Sequence, residues 1–133
     1  MMTRRSLFVK AAATGAALTL AGTTTALAGG AKKKGTFEGR SNHITSGSVK
    51  LVKDGERYIV ELGDDFSLDG GPDPRVAFGK DGTYAPDSKL GALLNLTGKQ
   101  SYAVPPTMDV SGYNEVYIWC EVAGVPLGVA SLK

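Results

Sequence analysis

The stretch from Glu115 to Val122 constrains the fold of this chain more than any other, because its side chains alternate strictly between two kinds. Successive side chains of a β-strand point to opposite faces of the sheet. One face would carry Val116, Ile118, Cys120 and Val122, and the other Glu115, Tyr117, Trp119 and Glu121. After the Ala123-Gly124 turn, a second extended run over residues 125–132 is expected to pair back as an antiparallel hairpin.

The chain from residue 35 onwards is typical of short strands separated by turns. Asp54-Gly55 lies between two alternating runs and predicts a hairpin, and a second Asp-Gly pair stands at Asp81-Gly82. The leucines of residues 90–96 fit a helical turn and a strand about equally, and we favour a strand because the alternating run 100–104 follows Thr97-Gly98. We therefore expect an all-β protein with a single sandwich or barrel-like domain of short antiparallel strands.

The first 28 residues have the pattern of an export signal. Arg4, Arg5 and Lys10 precede an uncharged run of small, mildly apolar residues that ends in Ala26-Leu27-Ala28. A membrane span needs about 20 strongly apolar residues, and this run is diluted by threonine and glycine. We expect a signal peptide over residues 1–28, a basic leader over 29–34 and a β-domain over 35–133.

The paired arginines indicate a particular export route. Thr3-Arg4-Arg5 resembles the start of a bacterial twin-arginine signal, although Leu7 and Phe8 stand in swapped order and Lys10 lies one place late. The alternative is a general secretory signal that happens to carry two arginines. Both interpretations predict an exported protein, periplasmic or secreted.

Net charge argues against nucleic acid as a partner. Removal of residues 1–28 leaves 12 basic residues against 13 acidic ones, so the positive charge of the whole chain comes from its signal. The remaining Lys32-Lys33-Lys34 is more typical of a solvated leader than of a membrane-binding patch, which needs about four to eight such charges. We expect no nucleic-acid partner and no integral membrane span in the mature chain.

The chain has one cysteine, Cys120, and one histidine, His43. A single cysteine permits no internal disulfide and no Cys-x-x-Cys thiol-disulfide cycle. Two such residues cannot build a blue-copper site or a structural zinc site within one chain, and the Cys-x-x-Cys-His motif of covalent haem is missing. A free thiol in an oxidising compartment has to be buried, ligated or used, which makes Cys120 the residue to explain.

Each candidate residue also has a structural interpretation. Cys120 sits among aliphatic neighbours, as an inert buried cysteine would. His43 is either a loop histidine or a partner of Cys120. Trp119 and Tyr117 lie on the face opposite Cys120, where aromatic residues more often pack against the sheet than form a ligand platform.

The chain from Gly35 to Leu132 resembles the DM-thirteen domain family, a small extracytoplasmic module described as an electron-transfer domain. The resemblance is carried by six blocks: Gly35-x-Phe37; His43-x-x-Ser46-Gly47-x-Val49; Phe66 with Gly71-Pro72-Asp73; Leu93 with Gly98-x-Gln100-x-Tyr102-x-Val104-Pro105; Val116-x-Ile118-Trp119-Cys120; and Val125-x-Leu127-Gly128-x-Ala130-x-Leu132. The last two blocks are the most specific.

This resemblance implies a redox role for Cys120, since the family's signature cysteine falls on that position. Cys120 would act as a bare redox thiol or as a ligand of a prosthetic group such as haem, with His43 as a possible second ligand. An unidentified redox partner would exchange the electrons. The alternative is a cofactor-free binding or structural β-domain of the cell envelope, in which Cys120 is inert.

Overall fold

The structure is a computed structural model, and it describes the backbone of residues 31–133 and the side chains of residues 33–133. The signal peptide and its twin-arginine motif therefore lie outside the described residues. The strands are β1 Ala31–Gly39, β2 Thr45–Ser46, β3 Ser48–Asp54, β4 Arg57–Leu62, β5 Ser67–Leu68, β6 Pro74–Lys80, β7 Thr83–Tyr84, β8 Gly91–Ala92, β9 Gln100–Ala103, β10 Glu115–Cys120 and β11 Val125–Ser131. Two short 3₁₀ turns, Pro86–Ser88 and Val110–Gly112, complete the elements.

Nine of these strands form one antiparallel sheet in the order β9-β4-β3-β1-β11-β10-β6-β7, with β8 also paired to β6. The sheet curls into a half-barrel, and β2 and β5 form a separate two-stranded ribbon. The predicted all-β, barrel-like domain is confirmed. In the part of the chain that the structure describes, no helix is long and apolar enough to cross a bilayer.

Both predicted Asp-Gly hairpins are present, and their backbone angles explain the residue choice. The β3–β4 hairpin turns through Gly55, which has φ +66°, and the β6–β7 hairpin turns through Asp81 and Gly82, with φ +52° and +86°. Positive φ at Gly55, and at both central residues Asp81 and Gly82, matches the right-handed twist of the paired strands, and Asp and Gly are among the residues that tolerate it best.

Strand β1 starts earlier than the sequence indicates. Ala31 already pairs with Val52, so residues 31–34 of the expected leader belong to the sheet. The backbone of Lys34 also exchanges two hydrogen bonds with that of Lys133, at 3.1 and 2.9 Å. The two ends of the domain are therefore tied to each other.

Residues 90–96 are a strand only over Gly91–Ala92, which pairs with β6. The remainder is a loop held by single hydrogen bonds. The N–H of Leu93 donates to the Pro74 carbonyl at 2.8 Å, and the N–H of Leu94 donates to the Tyr102 hydroxyl at 2.8 Å. Leu94 and Leu96 consequently face solvent.

The apolar face of β10 points into the core, as its alternation predicts. Val116, Ile118 and Cys120 are buried there. Val122 does not continue that face, because β10 ends at Cys120 and the Gly124 N–H bonds back to the Cys120 carbonyl at 2.8 Å. Val122 is therefore 71% exposed at the tip of a turn, and its expected place beside Cys120 was wrong.

Candidate functional site: the Cys120 thiol and the surface around it

Cys120 is the last residue of β10, a strand paired on both sides. It lies opposite Pro74 of β6 and Val125 of β11. Between Ile118 and Trp119 the register with β11 shifts by one residue, which leaves Leu127 as a bulge beside the end of the strand. Bulges bend a strand and re-aim its neighbours, and they are frequent next to functional sites.

The sulfur of Cys120 makes two hydrogen bonds, both with backbone. Its S–H donates to the Pro72 carbonyl at 3.2 Å, and the N–H of Ala123 donates to the sulfur at 3.3 Å. The carbonyl accepts the thiol proton, and the amide directs its own N–H at the sulfur. Cys120 is a free thiol held in one orientation by groups of opposite polarity.

This thiol is 1% exposed, yet only a thin layer of chain covers it. Pro72 and Ala123, which supply its two partners, are themselves exposed. We call these two segments the 70–73 loop and the 121–124 turn. The N–H of Glu121 donates to the Asp73 carbonyl at 3.1 Å and joins them above the thiol.

One ion pair fixes the 70–73 loop to strand β6, and a second links the 121–124 turn to the loop that precedes β8. Arg75 donates two hydrogen bonds to the Asp73 carboxylate, at 2.9 and 3.1 Å, which holds the pKa of Asp73 below its ordinary value. Lys89 pairs with Glu121 at 2.5 Å, and that hydrogen bond raises the pKa of Lys89. The shifts keep the Asp73 carboxylate and the Lys89 ammonium charged at neutral pH.

His43 lies next to the 70–73 loop, near Gly71. Its Nδ1 is 2.8 Å from the Asp69 carboxylate, which also accepts the Ile44 N–H at 3.0 Å. These two bonds, the Ile44 amide first, lower the pKa of Asp69, so the carboxylate is ionised and Nδ1 must be the donor. The Nε2 atom is then the nitrogen of His43 that a ligand could take.

The 70–73 loop lies next to both predicted site residues. A methyl group on Gly71 would lie 3.5 Å from Cε1 of His43, while the next carbonyl, that of Pro72, accepts from Cys120. His43 is bonded to Asp69, and Cys120 is bonded to the backbone of Pro72 and Ala123. Among the described residues, no group of three or more His, Cys, Asp or Glu side chains is placed to hold a metal ion.

A haem does not fit these donors as they are arranged. Ligation by Cys120 would require the thiol to lose the proton that it donates to the Pro72 carbonyl, and the covering segments to move aside, whereas the Ala123 amide could stay bonded to the sulfur. The Nδ1 atom of His43 is already engaged by Asp69. The thiol would have to be uncovered before it could ligate a prosthetic group.

The opposite face of the sheet carries an aromatic cluster. The rings of Trp119 and Tyr84 stack with centroids 3.7 Å apart and planes 5° from parallel, and Tyr117 lies 5.8 Å from Tyr84. Gly79, which pairs with Tyr84 across β6 and β7, makes room because a Cβ there would collide with the Tyr117 ring. This cluster agrees with the interpretation that Trp119 and Tyr117 pack against the sheet and do not form a ligand platform.

Sequence reasoning missed Tyr84 and the backbone partners of the thiol. Tyr84 follows the Asp81-Gly82 turn, and the hairpin register alone would place it opposite Gly79 on the outer face. Pro72 and Ala123 act through backbone atoms, for which side-chain patterns give no signal.

Comparison with known proteins identifies the domain. A family model described as "Electron transfer DM13" matches residues 36–132, which is most of the chain. No curated protein and no solved structure matches. The match includes Cys120 and both segments that cover it. The chain belongs to the DM13 electron-transfer family, and its general role is electron transfer.

Proposed function

We propose that electron transfer by this domain centres on Cys120 acting as a bare thiol. The observation that carries the proposal is the position of the sulfur between the Pro72 carbonyl and the Ala123 amide, under a thin layer of exposed chain. The amide stabilises the charge that builds on sulfur as its proton leaves, and the carbonyl directs the proton towards the exposed 70–73 loop. Neither contact depends on a prosthetic group.

The burial of Cys120 favours one-electron transfer over disulfide exchange. Disulfide exchange needs a partner's sulfur to approach Sγ directly, and a thiol that is 1% exposed permits this approach only while the covering segments are open. Loss of one electron to an external acceptor needs no such contact. In that step the S–H bond breaks, the proton passes to water and the sulfur becomes a thiyl radical.

An oxidant titration tests this proposal. Hexachloroiridate(IV) accepts one electron and loses its visible absorption when it becomes hexachloroiridate(III). We expect the folded protein to consume at least one equivalent more per chain than the Cys120→Ser variant, since the chain has a single cysteine. Equal consumption by the two proteins would exclude a redox role for the thiol.

A second candidate function is a cofactor-free envelope domain with an inert cysteine. Its support is the membership of Cys120 in the hydrophobic core, alongside Ile118 and Leu127. Free cysteines are commonly small buried hydrophobes. In that case the Cys120→Ala variant would keep every property of the native protein, including its response to hexachloroiridate(IV).

The absorption spectrum of protein purified from its own envelope separates the bare thiol from the haem ligand. We expect no visible chromophore, because the sulfur is buried beneath the covering segments and donates its proton to the Pro72 carbonyl. A haem band that is lost in Cys120→Ser and weakened in His43→Ala would replace the bare thiol with a ligated one.

The Lys89–Glu121 pair is expected to restrain the turn above the thiol. The Lys89→Met variant should react with a disulfide reagent up to about fivefold faster at Cys120, because a partly exposed ion pair contributes at most ~1 kcal/mol. Lys50→Met is the matched control, since it breaks the Lys50–Glu61 pair on strands that do not pair with β10. Equal rates in the native protein and the Lys89 variant would show that this pair does not hold the turn.

We also propose export by the twin-arginine route, on the basis of Arg4 and Arg5 alone. The Arg4→Lys, Arg5→Lys double variant should accumulate as unprocessed precursor, because a general secretory signal accepts lysine in its charged region. Pulse-labelling of precursor and mature forms measures this directly. Normal processing of the double variant would reject the twin-arginine route while leaving export itself in place.

A further inference from the structure

The buried position of Cys120 raises the question of how its electron reaches a partner. The thiol points into the core, and its 1% exposure prevents direct contact with another protein. Trp119 is the preceding residue on the same strand, and it faces the opposite side of the sheet. The indole of Trp119 is partly exposed on the outer surface. Only one peptide bond separates Trp119 from the buried Cys120.

The environment of Trp119 suits the formation of a tryptophan radical cation. Indole is among the most easily oxidised protein side chains, and its stack with Tyr84 at 3.7 Å lets a positive charge spread over two rings. Among the described residues, Arg75 and Lys89 lie near the stacked Tyr84, and each is paired with a carboxylate, Asp73 and Glu121 respectively. These two ion pairs add no net positive charge that would oppose oxidation of the indole.

Tyr84 is poorly suited to keep that radical. A tyrosine radical forms by loss of the phenol proton, and the Tyr84 hydroxyl is buried with no hydrogen-bond partner among the described residues. Burial also raises the pKa of Tyr84, which keeps the phenol protonated. The radical should therefore reside on Trp119, while Tyr84 acts as its stacking partner.

We propose that Trp119 is the electron port of this domain, through which Cys120 is oxidised from the outer face. In the first step a one-electron oxidant on that face takes an electron from Trp119, which becomes a radical cation. In the second step Trp119 takes an electron from Cys120, whose S–H bond breaks and whose proton passes to water at the 70–73 loop. Trp119 is restored and Cys120 is left as a thiyl radical. This inference rests on the proposed redox role of Cys120.

Flash photolysis of the full chain with photogenerated tris(bipyridine)ruthenium(III) tests the port. We expect the rate of Cys120 oxidation to fall at least about tenfold in Trp119→Phe, equivalent to about 1.4 kcal/mol in the activation barrier. Tyr113→Phe is the matched control, because Tyr113 also stacks, on Phe78 at 5.2 Å, but does not adjoin Cys120. The control should keep the native rate.

A second measurement does not depend on altering Trp119. In Cys120→Ser the tryptophan radical should live longer than in the native protein, because no thiol is present to reduce it. Native rates in Trp119→Phe, or equal radical lifetimes with and without the thiol, would overturn the port. If Cys120 is still oxidised in Trp119→Phe at the native rate, the thiol remains the redox group and the port alone fails. If the native protein and Cys120→Ser consume the same oxidant, the redox role itself fails.

Discussion

Replacing Gly39 by alanine is expected to destabilise the domain by about 3 kcal/mol or more. Gly39 pairs with Gly128 where β1 meets β11, and a Cβ on it would lie 2.0 Å from the backbone carbonyl oxygen of His43. A backbone atom cannot rotate away as a side-chain end can, so the segment carrying His43 would have to move. Chemical denaturation of native and variant protein, at matched slopes, measures the loss.

Gly112→Ala is the matched control for this experiment. Nothing lies within 4 Å of a Cβ at Gly112, and its φ is not in the left-handed region. Alanine there should be neutral or stabilise by up to about 1 kcal/mol, because it lowers the entropy of the unfolded chain. Equal stability of the Gly39 and Gly112 variants would contradict the close approach of β1 to the His43 segment.

The second large effect is expected at Leu127, the bulge residue near the site. Its side chain is 1% exposed and contacts the position where Gly71 would carry a Cβ, while its carbonyl accepts the Thr45 hydroxyl at 2.8 Å. Leu127→Ala removes buried atoms beneath the 70–73 loop and should cost about 2–5 kcal/mol. Thermal or denaturant unfolding gives the value.

Leu94→Ala provides the comparison for that loss. Leu94 is 64% exposed, so the same truncation should change stability by no more than about 0.5 kcal/mol. A Leu127 variant as stable as the Leu94 variant would mean that the bulge does not pack beside the site. An additional result is expected from Leu127→Ala: faster reaction of Cys120 with a disulfide reagent, since the loop above the thiol loses its support.

The sequence predicts those parts of the fold that depend on local chemistry. Asp54-Gly55 and Asp81-Gly82 give correct hairpins because few residues tolerate positive φ. The alternation through Val116, Ile118 and Cys120 gives the correct buried face, because the strand period of two determines it.

The parts that depend on distant segments could not be predicted in this way. Nothing local places β1 between β3 and β11, or ends β10 at Cys120 so that Val122 is exposed. The loop that accepts the hydrogen bond of Cys120 lies 48 residues earlier in the chain and acts through a backbone carbonyl. The stack of Trp119 on Tyr84 likewise arises from the pairing of β10 with β6 and of β6 with β7.

The most direct test of the redox role of Cys120 is a radical-trapping measurement on the folded protein. One-electron oxidation in the presence of a nitrone spin trap, followed by mass spectrometry of the peptides, locates the radical. We expect the adduct on Cys120 in the native protein, and on aromatic residues alone in Cys120→Ser. Native protein whose adducts lie only on tyrosine or tryptophan, with Cys120 unmodified until the chain is unfolded, would contradict the account and leave the cysteine a structural one.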